Sequence, residues 1–156
     1  MIPEVFIERI KKQSYINSDE LLRALREKST ATIRLNRKKW EPEPINSSPV
    51  PWCRDGFFLD SRPSYTLDPL FHSGCYYPQE ASSMFLEQAV IQTSGSLENI
   101  RVLDLCGAPG GKSTHLSDLI GPGSLLIAND VIRSRAAILA ETIAKWGKGN
   151  TLVTQN

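Results

Sequence analysis

At 156 residues, 40% hydrophobic and 22% charged, the chain has room for one ordinary domain or two small ones, and its composition excludes a disordered tail or a fibrous repeat. No apolar run approaches the ~18–20 residues of a membrane-spanning helix, and the opening MIPEVFIERIKK is amphipathic where a signal peptide would be apolar. The net charge of +1 is segregated. Residues 1–40 hold 10 Lys/Arg against 5 Asp/Glu, residues 41–100 hold 2 against 8, and residues 101–156 hold 6 against 4. A basic N-terminal segment fits a polyanion partner, because Lys and Arg that neutralise phosphates release counterions; it also fits a solvated helix face with ordinary i,i+4 pairing. Cys53, Cys75 and Cys106 are an odd number without a CxxC pair, and only two His accompany them. This predicts neither a disulfide framework nor a metal site, and it points to a reducing compartment such as the cytoplasm.

In chain order, Pro3 at a first helical position and Val5, Phe6 and Ile10 at near-helical spacing predict a short helix to about Gln13. A second helix is expected from Asn17 or Ser18, where Asn17 and Glu20 resemble a capping box and Leu21, Leu22 and Leu25 share a face. Residues 31–36 (ATIRLN) alternate as a half-buried strand does, burying Ile33 and Leu35 and presenting Arg34 and Asn36, with Lys38 and Lys39 just beyond. Four prolines between Trp40 and Pro51 predict a connector. Gly56–Leu59 is expected as a short strand, residues 60–78 as an ordered aromatic loop, and residues 79–92 as one buried helix.

The stretch 101–156 predicts strand, Gly-rich turn, helix, strand, helix and strand. These are Arg101–Cys106, Gly107–Gly111, Lys112–Ile120, Leu125–Asn129, Ile132–Trp146 with Gly147 as C-cap, and Thr151–Thr154. Alternation of this kind makes a parallel sheet, which binds ligands beyond the carboxyl ends of its strands. The Gly-rich turn lets a ligand approach the backbone, and Asp130, 20 residues after Gly110 and at the end of the second strand, is placed to accept hydrogen bonds from ribose hydroxyls. Gly107 to Ser113 misses the phosphate-binding GxxxxGK[ST] loop by one residue and also departs from GxGxxG. Pro109 removes an amide donor from the turn, which suits an adenosyl ligand better than a pyrophosphate.

VLDLCGAPGGKST (Val102–Thr114), with ANDV (Ala128–Val131) and Arg135, strongly resembles the S-adenosylmethionine motifs of the Nop/Sun family of RNA cytosine-5 methyltransferases. VPWC (Val50–Cys53), YYPQEASSM (Tyr76–Met84) and TIRLN (Thr32–Asn36) also resemble that family, particularly its bacterial ribosomal-RNA members, so the likeness covers nearly the whole chain. It implies that Cys106, Gly107, Ala108, Pro109, Gly110, Gly111 and Lys112 line the methionine and adenosine moieties of S-adenosylmethionine and that Asp130 holds the ribose. Arg135 would support that end less directly, and Lys112 would point toward the reacting cytosine. It further implies an RNA partner, most naturally ribosomal RNA, gripped by the basic residues 1–40, with Arg34, Asn36, Lys38 and Lys39 as the expected contacts.

The implied fold is α/β: an N-terminal α+β module (1–40), a Pro-rich connector with an aromatic loop (41–78), and the first β-α-β-α-β half of a Rossmann-like methyltransferase domain (79–156). The resemblance implies a cysteine thiolate that adds to C6 of cytosine and a second cysteine for product release, supplied by TCS and DAPCS segments that both follow the third strand. Neither segment occurs here, and Cys53, Cys75 and Cys106 occupy none of those positions, so the nucleophilic cysteine is expected beyond Asn156. The chain is therefore expected to be the N-terminal, cofactor-binding part of a longer methyltransferase, inactive alone. A non-catalytic RNA-binding module on a half-Rossmann scaffold and a P-loop nucleotide hydrolase are the alternatives.

Overall fold

The computed structural model describes residues 2–27 and 30–156. It opens with α1 (Glu4–Lys11) and α2 (Ser18–Ala24), which pack on each other. Pro3 is the N-cap of α1, one position earlier than expected, and the Asn17 side chain caps α2 by accepting from the Glu20 amide at 3.2 Å. Ile10 and Leu22 are buried, while Val5 stays in solvent.

Four strands follow: β1 (Ala31–Leu35), β2 (Ser47–Pro49), β3 (Gly56–Leu59) and β4 (Tyr76–Pro78). They form one antiparallel sheet in the order β2-β3-β1-β4. Three of these strands come from residues 41–78, so the segment expected as connector and loop belongs to the N-terminal sheet. Pro49 and Pro78 lie on the two edge strands, where a missing N–H breaks no ladder. One face of the sheet buries Ile33, Leu35, Phe57 and Tyr76 beneath Trp40, Leu70 and Phe71. Asp68 secures the loop over that face. It caps the short helix α3 (Pro69–His72) through the Leu70 amide at 2.9 Å and accepts from the Tyr76 hydroxyl at 2.6 Å.

The helix expected over 79–92 is two segments, α4 (Ala81–Met84) and α5 (Leu86–Thr93), meeting at the exposed Phe85. Beyond them β5 (Arg101–Asp104), β6 (Leu125–Asn129) and β7 (Thr151–Thr154) form a parallel sheet in that order, connected by α6 (Gly111–Leu119) and α7 (Arg133–Trp146). This is the expected β-α-β-α-β unit of a Rossmann-like fold. Leu116 and Ile120 pack on Leu126, and Leu139 and Ile143 pack on Ala128, so both helices cover the same sheet face. On the other face Leu103, Ile127 and Leu152 stand opposite one another in register, with Leu103 and Leu152 more than half exposed.

The two sheets meet along a polar seam, and here the structure corrects two expected contacts. Arg34 is 1% exposed and Asn36 is 1% exposed. Arg34 donates from Nε to Gln79 Oε1 (2.9 Å), from Nη1 to Asp118 Oδ2 (2.6 Å) and from Nη2 to Thr114 Oγ1 (2.6 Å), with its guanidinium over the Trp146 ring. Asn36 donates to the carbonyls of Gly74 (3.0 Å) and Trp146 (2.8 Å). Neither side chain faces a partner outside the chain. Alternation predicts a half-buried strand, but the second face of β1 is closed by α6 and α7.

Candidate functional site

The turn after β5 is held open by short polar contacts. Asp104, the last residue of β5, accepts from the Ser113 hydroxyl at 2.7 Å, and the Gly107 amide donates to the Asn129 carbonyl at 2.8 Å across the tips of β5 and β6. Gly110 precedes α6 with φ +117°, a left-handed conformation that favours glycine, and a Cβ there would lie 2.6 Å from Thr142 Cγ2 on α7. A Cβ on Gly111 would lie 3.0 Å from the Tyr77 ring. The turn is thereby wedged between β4 and α7 with its backbone bare.

A cleft of about 240 Å³ opens in front of it. Its lining includes Cys106, Gly107, Ala108, Pro109, Gly111 and Lys112 on one side. Tyr77, Gln79 and Ser83 face them from the YYPQEASSM segment. Six of the residues expected to meet the cofactor thus share one concave surface at the carboxyl end of the parallel sheet, beside the first turn of α6, where free amides attract negative charge, while Gly110, Asp130 and Arg135 lie outside its lining.

Asp130 stands at the end of β6, 3% exposed. Its Oδ1 accepts the Ile132 amide at 3.0 Å, and its Oδ2 lies 3.4 Å from an Arg135 nitrogen that also donates to the Ala108 carbonyl at 2.9 Å. Arg135 therefore ties the acid to the turn.

Sequence reasoning missed Asn129 and Thr142. The Asn129 side chain accepts from Thr154 Oγ1 and donates to the Leu105 carbonyl, holding the three strand ends in register. It also grips Asn156, accepting its amide at 3.0 Å and donating to its carbonyl at 3.2 Å. The chain that leaves β7 is thus tied to the carboxyl end of the sheet, on the side where the cleft opens. The one signal for Asn129 in the sequence is its place beside Asp130. Thr142 has none, because its role depends on where α7 passes.

Of the four basic or polar residues expected on an RNA-facing surface, Arg34 and Asn36 are interior. Lys39 donates to the carbonyls of Ser73 (2.8 Å) and Lys145 (2.6 Å), closing the end of α7. Lys38 is exposed, and its amine has no partner among the described residues.

The cysteines are free. Cys106 is exposed at the cleft, and Cys75 is buried beside the Ser73 hydroxyl at 3.1 Å. Cys53 is buried with Sγ 3.8 Å from His115 Nε2, which lies 2.9 Å from Glu87 Oε2. Burial, reinforced by the Glu87 carboxylate, pushes the Cys53 thiol up to about 12, which disfavours a free thiolate there at neutral pH. The sequence predicts no grouping of these three residues.

Residues 2–81 match the family model described as the N-terminal domain of 16S rRNA methyltransferase RsmF, and residues 94–156 match 16S rRNA methyltransferase RsmB/F. Ribosomal RNA small subunit methyltransferase F of Shewanella denitrificans is 32% identical over 96% of this chain, and that of Vibrio campbellii is 31% identical over 98%. The chain spans only 32% and 34% of those relatives' lengths. Among solved structures, a methyltransferase homolog protein from Pyrococcus horikoshii superposes with a TM-score of 0.79 at 25% identity, covering 99% of this chain and 53% of that one. NSun6 from the same organism shares the fold, with a TM-score of 0.74 at 16% identity, covering 99% of this chain and 65% of that one.

Proposed function

Since the chain belongs to the RsmF family of 16S rRNA methyltransferases, we propose that it forms the N-terminal and cofactor-binding part of an S-adenosylmethionine-dependent enzyme that methylates C5 of a cytosine in ribosomal RNA. The observation that carries the proposal is the cleft in front of residues 106–112 with a buried acid at the neighbouring strand end. The groups present suit the cofactor: bare backbone at the turn, the Tyr77 ring against Gly111, and a carboxylate already oriented by Ile132 and Arg135 for a diol. S-adenosylmethionine supplies the methyl group. This chain's residues bind and orient it, Asp130 taking the ribose hydroxyls and Lys112 facing the base. None of the three cysteines is assigned as nucleophile, a role left to a cysteine beyond Asn156, and the chain alone is expected not to transfer a methyl group.

Calorimetric titration tests the assignment. Asp130→Asn keeps an acceptor for the Ile132 amide but loses the charge, and a charge-assisted hydrogen bond is worth about 1.5–3 kcal/mol. Affinity for S-adenosylmethionine should fall by at least about tenfold. Wild-type affinity in that variant would remove Asp130 from the site. RNA binding without any cofactor binding by the native chain would favour the RNA-binding module.

For RNA, the corrected surface narrows the expectation to Lys38. Lys38→Ala should reduce the slope of log affinity against log salt by about one unit for each phosphate it no longer neutralises, without changing the melting temperature. An unchanged slope would leave Lys38 an ordinary solvated side chain.

A further inference from the structure

Away from the cofactor cleft, the described residues bring a thiol, an imidazole and a carboxylate to one point. Cys53 lies on the turn between β2 and β3, Glu87 on α5 and His115 in the middle of α6. All three are buried, and Sγ, Nε2 and a Glu87 oxygen lie within 4.8 Å of one another. We propose that Cys53, Glu87 and His115 bind a zinc ion that ties the N-terminal sheet to α6.

The donor set is the first reason. Sulfur, imidazole nitrogen and carboxylate oxygen are zinc's usual protein ligands, and bonds of about 2.0–2.3 Å in a tetrahedron place neighbouring ligand atoms roughly 3.3–3.7 Å apart. The 3.8 Å between Cys53 Sγ and His115 Nε2 has to close by about 0.1–0.2 Å, and the 2.9 Å between Nε2 and Glu87 Oε2 has to open by a few tenths of an ångström. Charge is the second. One thiolate and one carboxylate balance a divalent cation, so the occupied site is neutral where an uncompensated charge would be costly.

Orientation is the third reason. The Arg54 amide donates to Glu87 Oε1 at 3.1 Å and leaves Oε2 turned to the cluster, the arrangement by which outer hydrogen bonds aim metal ligands. The Cys53 turn is pinned in the same place, with Trp52 Nε1 donating to the Ala81 carbonyl at 2.7 Å and Gln88 Nε2 donating to the Trp52 carbonyl at 3.1 Å. Met84, fully buried, packs on Cys53 and steadies its turn. Binding releases the thiol proton to solvent and leaves the imidazole proton on Nδ1, so Nε2 offers its lone pair. Nδ1 is buried without a protein partner. A water completes the coordination.

The test is elemental analysis of the protein made with zinc in the medium and dialysed against metal-free buffer, followed by replacement with cobalt. About one zinc per chain is expected, with a thiolate-to-cobalt charge-transfer band in the near ultraviolet. The band should vanish in Cys53→Ser and persist in Cys106→Ser, whose sulfur lies in the cofactor cleft. Stripping the zinc with a chelator should lower the melting temperature of the native protein and leave that of His115→Gln unchanged. Zinc lost on dialysis, or a band that survives in Cys53→Ser, would overturn the site and leave a hydrogen-bonded cluster without metal.

Discussion

Arg34→Met is expected to lower the melting temperature by about 6–12 °C. The guanidinium is enclosed by protein and makes three short hydrogen bonds to residues 79, 114 and 118, spanning the seam between the sheets. Burial pulls its pKa down from the ordinary arginine value, and Asp118 opposes that pull. Removing one partner of a buried pair costs about 3–5 kcal/mol. The lower end applies because Asp118 keeps Lys148 Nζ at 3.1 Å and the Trp146 indole N–H at 3.0 Å. Gln79, whose amide nitrogen is already without a partner, would lose its side-chain acceptor bond as well. At about 2–4 °C per kcal/mol for a chain of this size, 3 kcal/mol gives the stated shift. Arg34→Lys should fall between the two, since an ammonium can satisfy Asp118 but cannot also reach Gln79 and Thr114 in a fork. Thermal unfolding by circular dichroism decides the matter, and a shift below about 2 °C for the methionine variant would show the seam to be held by packing alone.

Gly110→Ala is expected to weaken S-adenosylmethionine binding by tenfold or more. A side chain at φ +117° costs about 1–3 kcal/mol, and the new Cβ would sit 2.6 Å from Thr142 Cγ2 and 2.9 Å from Thr142 Cβ. Relieving the strain displaces the turn that carries residues 106–109 along the cleft, and 1.4 kcal/mol is one factor of ten in affinity. Adding Thr142→Ala removes the closer contact but leaves the other and the dihedral strain, so it should restore affinity in part. Calorimetry on the two variants separates the causes. Full recovery in the double variant would assign the whole effect to the clash, and wild-type binding by Gly110→Ala would show that the turn adapts freely.

The parallel unit was legible because its signals are local. The strands at 101–104, 125–129 and 151–154 each have an apolar centre, with glycine-bearing turns at 107–111, 121–123 and 147–149 marking where one element gives way to the next, and the structure places them within two residues of expectation. The Gly-rich turn and the acid 20 residues on were legible for the same reason. The N-terminal sheet was less so. Ser47–Pro49 and Tyr76–Pro78 are three-residue strands containing proline, and only their partners on β3 and β1 make them strands. Arg34 and Asn36 defeated the alternation rule in a different way. That rule assigns polar positions to solvent when a sheet has one buried face, and β1 has two. Of the ten basic residues in 1–40, Arg34 and Lys39 are engaged within the chain, by Asp118 and by the end of α7, which net charge along the sequence does not reveal. The meeting of Cys53, Glu87 and His115 was invisible, because it joins residues up to 62 positions apart with no repeating spacing.

The Asn36 bond to the Trp146 carbonyl spans 110 positions of chain, which sets an order of events during synthesis. At about 5–20 residues per second, a ribosome needs on the order of 5–20 s to pass from one partner to the other. Throughout that interval the second face of β1 has nothing to close it, and its arginine and asparagine remain hydrated. The antiparallel sheet therefore emerges first but cannot finish first. Its completion waits on the last turn of α7, and a strand made before the parallel unit is among the last to reach its native surroundings.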